Sequence, residues 1–244
     1  MTATDIGARD HEATLASLRV VDLTAPLGPD TVMWPGADAP TAHAVATFDA
    51  HGYFARVMHV FEHSGTHFDA PCHMVDHTAT VDQIPVETLF VPVRCLDVSH
   101  HIGDDADGVL LPEHVEAHEE VHGRIPAGSA VFLRTGWEDR NHDKVAYAGA
   151  DGDLRFPGYG VDAAKILVDD RGVVGLGVDT LGIDPGAAAH FPVHKEVSHP
   201  RGVWHLENLT NLAALPPAGA WAFVGVPRVV GGSGFPARVI ALVP

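Results

Sequence analysis

Residues 62–73 read EHSGTHFDAPCH, which sets His63, His67, Asp69 and His73 close together with Gly65, Pro71 and Cys72 between them. The stretch follows an apolar run, ARVMHVFEH (55–63), of strand length and composition. If the chain stays extended from His63 to Asp69, side chains 63, 65, 67 and 69 share one face. Gly65 leaves open space on that face, and His67 and Asp69, at i and i+2, are placed to bind one ion. Pro71 ends ladder pairing, and the turn it forces can swing His73 back over the same space. Two imidazoles and a carboxylate suit a borderline divalent metal such as zinc or manganese. The competing reading is a polar strand end with solvated histidines, a fair alternative in a chain with 18 of them. Convergent polar groups at such close spacing favour a site.

Outward from this stretch, short apolar runs recur between Gly, Pro, Asp and Asn. LRVVDLT (18–24), VPVRCLDVS (91–99), SAVFLRTGW (129–137), VVGLGVDT (173–180), GVWHLENL (202–209), WAFVGVP (221–227) and ARVIALVP (237–244) all read as strands. LPEHVEAHEEVH (111–122) opens with a proline and stops at Gly123, as helices prefer, and VDAAKILVDDRG (161–172) has helical spacing and ends at a glycine. Strands interrupted by a few helices predict one compact α/β domain over residues 18–244, behind a polar lead-in at 1–17.

The bulk properties narrow the function classes. A formal net charge of −17 argues against nucleic acid and anionic membrane surfaces, which both need clustered Lys and Arg. No apolar run has the length of a membrane span. Cys72 and Cys95 make no disulfide framework, which suits a reducing cytoplasm. Cys72 reads as a small packed residue rather than a nucleophile.

A second histidine motif, His118-Glu119-Glu120-Val121-His122, is a literal H-E-x-x-H, the pattern of helical zinc proteases. Its helix is short and acidic and has no third ligand downstream at a recognisable spacing, so a solvated surface helix is the better account. His100 and His101 read as loop residues. His11, His43, His51, His77 and His142 have surface-like neighbours, and His59 alternates with apolar positions as an ordinary strand residue.

With its surroundings, EHSGTHFDAPCH resembles the cyclase-like amidohydrolase family, which includes bacterial kynurenine formamidase and isatin hydrolase. The likeness extends through VDLTAPLGPDTVMWPG (21–36), TVDQIPVETLFVPVRCLDVS (80–99), VVGLGVDTLGID (173–184), FPVH (191–194), HLENLTNLAALP (205–216) and GGSGFPARVIALVP (231–244). It implies a swivelling β/β/α cyclase-like fold. It also implies that His63, His67 and Asp69 hold a first ion. Asp69 with His194 and Glu207 would hold a second where two are bound, so one or two zinc or manganese ions are expected per subunit. His199 and His205 are further histidines near His194, and FPVH makes His194 the better match. The segment 137–161 and FPGYGVDAA (156–164) look like the isatin-hydrolase branch, and Gly182 stands where many members carry serine.

The resemblance further implies hydrolysis of an aryl formamide or a cyclic amide, in which a divalent ion acidifies water from a pKa near 16 toward about 7. A nitrogen leaving group needs a proton, and His73 is the implied acid/base. Cyclisation, dehydration, lactone or ester hydrolysis, and a non-catalytic metal- or metabolite-binding module are the alternatives on the same residues. Trp34, before Pro35-Gly36, reads equally as an aromatic wall for a flat substrate or as a core residue. A homo-oligomer, dimer or tetramer, is expected.

Overall fold

A computed structural model of the chain describes residues 16–150 and 152–244. Most of the polar lead-in, His11 included, lies outside the described residues. The strands in chain order are β1 (Arg19–Asp22), β2 (Thr41–Ala46), β3 (Ala55–His59), β4 (His67–Asp69) and β5 (Phe90–Asp97). They continue with β6 (Val109–Leu110), β7 (Ala130–Arg134), β8 (Gly149–Ala150), β9 (Asp153–Leu154) and β10 (Gly158–Tyr159). The last five are β11 (Gly175–Val178), β12 (Trp204–Glu207), β13 (Ala220–Gly225), β14 (Gly234–Pro236) and β15 (Arg238–Val243).

Nine of these strands form one sheet in the order β1-β15-β13-β5-β7-β11-β12-β4-β14. Its centre, β5-β7-β11-β12, is parallel, with helical segments in the crossovers. Its flanks, β13, β15 and β1 on one side and β4 and β14 on the other, are antiparallel. The composition of the strands follows from this. Parallel strands covered on both faces have no solvent side, and β11 and β12 are buried at every position. Strands β13 and β15 alternate instead, with one face in the core and one facing water.

Two apolar layers cover the sheet. One packs Leu133, Leu176 and Val178 against Trp137, Tyr159, Leu167 and Val197; the other packs Phe132, Trp204 and Leu206 against Leu23, Val239 and Ala241. Gly175 makes the second layer possible, because a Cβ there would lie 2.2 Å from the Trp204 ring. Mixed α/β architecture in a single domain with a curled sheet is therefore the fold, as the sequence predicted. Among the described residues no helix is long and apolar enough to cross a membrane.

Three local expectations change. The chain is not extended from His63 to Asp69: only His67–Asp69 is strand, and the preceding residues bend through Gly65, whose φ is +59°. The run at 55–63 leaves strand geometry after His59. His100 and His101 sit in a short helix, Ser99–Ile102, not a loop.

Candidate functional site

Strand β4 brings the first two donors together because of its place in the sheet. It lies between β12 and β14, with Asp69 opposite His205 and His67 opposite Glu207. Directly opposed residues of an antiparallel pair point to the same side, so these four buried side chains share one face. The bend at Gly65 then folds His63 back until its Nδ1 is 2.6 Å from Asp69 Oδ1. The helical turn Pro71–His73 carries the His73 ring to 3.8 Å from the His63 ring. His194 arrives from the segment Val193–Ser198, near the carboxyl ends of the parallel strands, where open α/β sheets bind ligands.

Hydrogen bonds fix which nitrogen of each ring is free. Ser233 Oγ donates its only proton to Glu62 Oε2 (2.6 Å), so it accepts from His63 Nε2–H (3.0 Å). His67 Nδ1–H donates to the Gly65 carbonyl (2.8 Å), which also accepts from Asn208 Nδ2 (3.0 Å). His194 Nδ1–H donates to Asp184 Oδ2 (2.6 Å), and Asp184 also takes the backbone N–H groups of Val193 and His194. Each imidazole is thus left with its other nitrogen facing carboxylates. His67 Nε2 is 3.1 Å from Asp69 Oδ1 and 3.4 Å from Glu207 Oε2; His194 Nε2 is 3.4 Å from Glu207 Oε1 and 3.8 Å from Asp69 Oδ2.

Lone pairs opposed to carboxylates in a buried place need a positive charge between them. The acid–base balance shows the same demand. Burial works against charge on His67, yet Asp69 and Glu207 raise its pKa to about 9. Burial likewise opposes a charged His194, but its hydrogen bond to Asp184 and the nearby Asp69 and Glu207 carboxylates lift it well above the usual histidine value. Burial pushes Asp69 upward, and His67 and His63 more than reverse this, holding it well below the carboxylate range. His73 is lowered by desolvation, which outweighs the opposing pull of Asp69.

The donors, imidazoles with carboxylates, fit a divalent cation. They fall into three overlapping groups, in each of which all donor atoms lie within 4.8 Å of one another. These are His63, Asp69 and His73; then Asp69, His194, His205 and Glu207; then His194, His199 and His205. Asp69 belongs to two of the groups, and its Oδ2 is buried without a hydrogen-bond partner. A metal-binding histidine usually donates its other ring N–H to an oxygen, as His63, His67 and His194 do here. Five of the six residues expected to serve as ligands and acid/base, His63, Asp69, His73, His194 and Glu207, fall in these groups, and His67, in none of them, joins through its approach to Asp69 and Glu207.

Above this floor opens a pocket of about 430 Å³. Its walls are Trp34, Phe61, Met74, Leu181 and Phe191, and Gly182 and Asp184 line it as well. Trp34 serves both readings: it packs on the core beside Phe156 and faces the pocket across from Phe191, ring centres 5.7 Å apart. His190 and Phe191 both hold left-handed backbone (φ +70° and +54°), a conformation that costs energy for non-glycine residues and concentrates at binding sites. The result is an apolar slot with polar groups only at its base.

Several contributors escaped the sequence reading. Glu62, Ser233, Asp184 and Asn208 orient the donors, and nothing in their spacing betrays contacts that reach 170 residues along the chain. Asp184 had one available signal, an acidic residue ending an apolar run. The H-E-x-x-H stretch lies on the helix Pro112–His122, where His118 and His122 line a small cleft with His101 and His114. Glu119 is not in that lining and pairs instead with Arg171 through two hydrogen bonds. Cys72 is half-buried beside the second apolar layer, its pKa raised by burial and by Glu62, which is the opposite of an activated thiol.

Comparison with known proteins agrees with this architecture. Residues 21–185 match the family described as Cyclase. Isatin hydrolase of Roseibium aggregatum is 35% identical, over 93% of this chain and 92% of that protein. Kynurenine formamidase of Salinibacter ruber is 26% identical, over 91% of this chain and 97% of that protein. The crystal structure of an isatin hydrolase bound to the product analogue thioisatinate superposes over the full length of both chains, with a TM-score of 0.90 at 32% identity. This chain belongs to the cyclase family.

Proposed function

We propose that this protein is a metal-dependent hydrolase that cleaves the amide C–N bond of a small aryl formamide or cyclic amide. One observation carries the reading: three oriented imidazoles and two buried carboxylates converge at the base of an aromatic-walled pocket of about 430 Å³. The names of the relatives, isatin hydrolase and kynurenine formamidase, support an amide of this kind.

His63, His67 and Asp69 would hold a first zinc or manganese ion, and Asp69, His194 and Glu207 a second. Such an ion, when bound, supplies Lewis acidity to the carbonyl and to water. The remaining work belongs to the chain. Trp34 and Phe191 confine a flat ring so that its carbonyl reaches the floor of the pocket. His73, kept neutral by desolvation and beside the donors, takes a proton from attacking water and returns it at the departing nitrogen. A nitrogen leaves poorly until protonated, so this transfer governs collapse of the adduct.

Chelation followed by metal analysis tests the reading. Exhaustive chelation is expected to abolish turnover of N-formylkynurenine or isatin, with zinc or manganese restoring it. Turnover by demonstrably metal-empty protein would sink the proposal. Inactivity of the loaded protein on both amides, with simple lactones hydrolysed instead, would shift the substrate class.

A homo-oligomer is the assembly that the β2–β3 ribbon supports. Val45, Phe48, Tyr53, Phe54, Val57 and Met58 are all exposed on it, and a lone two-stranded ribbon is marginal in water. At roughly 150–250 Å² per aromatic, these side chains supply much of the ~800 Å² per partner that a stable interface buries. Only Asp49, Arg56 and Glu62 are charged between residues 41 and 62, so two chains of net charge −17 can meet there. A second copy is the occupant we assign. Phe48→Asp with Phe54→Asp is expected to release monomers in analytical ultracentrifugation; wild-type protein that already sediments as a monomer would remove the assignment. Two free cysteines, Cys72 and Cys95, support a reducing compartment, the cytoplasm.

A further inference from the structure

Behind the pocket floor lies a buried imidazole that the ligand set above does not use. His205 stands on β12, two residues before Glu207 and directly opposite Asp69. Its tautomer is fixed by its neighbour. Ser198 Oγ donates its one proton to the Val193 carbonyl (2.8 Å), so the 2.7 Å contact with His205 must be Nε2–H donating to Ser198 Oγ. The neutral ring is then left with a bare lone pair on Nδ1.

That nitrogen is buried and has no hydrogen-bond partner among the described residues, and neither has Asp69 Oδ2. Their two residues belong to one group with His194 and Glu207, in which one donor atom from each lies within 4.8 Å of the others. Two acceptor atoms cannot satisfy each other, and side by side they repel. Two orphaned acceptors, an imidazole lone pair and a second carboxylate around one small space are the surroundings of a cation.

We infer that His205 Nδ1 is the fourth protein ligand of the deep ion, beside Asp69, His194 and Glu207. The inference rests on the metal-dependent reading above and adds a division of labour to it. Four protein donors close a tetrahedral shell, the mark of a structural ion, whereas a reacting ion keeps a position open. The deep ion therefore holds Asp69 in place, and water and substrate meet at the outer position of His63, His67 and Asp69, under the aromatic walls.

The test loads full-length protein with cobalt(II) or zinc and measures ions per chain, dissociation constants and the visible cobalt spectrum. Wild type is expected to bind two ions, with one four-coordinate cobalt spectrum that persists when substrate analogues are added. His205→Leu is expected to bind one ion with wild-type affinity and the other at least ~100-fold more weakly, losing the four-coordinate band. Should that variant fail to fold, Ser198→Ala, which frees the ring without removing it, is expected to weaken the same ion roughly tenfold. One ion in wild type, two ions of unchanged affinity in His205→Leu, or an unaltered cobalt band would overturn the assignment. Failure of the hydrolase reading looks different: normal metal content and spectrum with no turnover.

Discussion

Asp69→Asn is expected to abolish turnover, by at least ~10⁴-fold, and to strip the protein of metal. Rate enhancements of 10⁶ and more rest on the groups at the reacting centre, and here this one carboxylate belongs to two of the three donor groups, those that include His63 and Glu207. His63 and His67 both approach its Oδ1, and His194 approaches its Oδ2. The substitution keeps the shape of the side chain but removes its charge, so the loss should not be one of folding. Burial already makes a charged Asp69 costly, and a neutral amide relieves that cost. Circular dichroism should stay native while metal analysis shows a near-empty protein. Metal content and turnover both within tenfold of wild type would mean that Asp69 is not the shared ligand.

His73→Ala should separate proton transfer from metal binding. General acid–base groups contribute about 10²–10⁴-fold, and a loss of that size is expected on amide substrates with metal content unchanged. An ester or lactone with an activated oxygen leaving group should suffer much less, because it departs without a proton. The comparison is demanding, since His73 also lies within ligand distance of His63 and Asp69. If His73→Ala loses metal together with turnover, and equally on both substrate types, His73 is a ligand and the acid must be sought elsewhere.

The fold was legible in the sequence wherever burial wrote a simple pattern. The nearly continuous apolar runs at 129–137, 173–180 and 202–209 became the parallel centre, because strands covered on both faces have no polar side to alternate. The tight bend at Gly65 was not legible, since its cause lies outside the segment. Asn208 and His67 both donate to the Gly65 carbonyl, and Thr66 is tied to the Asn208 carbonyl, so the loop takes its shape from a strand end about 140 residues away. The close cluster of EHSGTHFDAPCH could be read as a site from spacing alone. His194 and Glu207 needed the family resemblance, and His205 stayed hidden because a histidine between two apolar neighbours looks like any buried strand residue. Only its register against Asp69 and the proton committed to Ser198 expose it.

The position of β4 has a consequence for how the protein is made. This three-residue strand is held between β12 and β14, and β14 lies within the last eleven residues of the chain. The ring of His63 is likewise steered by Ser233. Pairings of such long sequence separation form late, after most of the loop-closure entropy has been overcome. A chain in which β14 has not yet paired therefore carries the whole EHSGTHFDAPCH motif without the frame that holds it. The donors acquire their geometry only once β14 has paired and Ser233 is in place, so a motif complete in sequence is not yet a site.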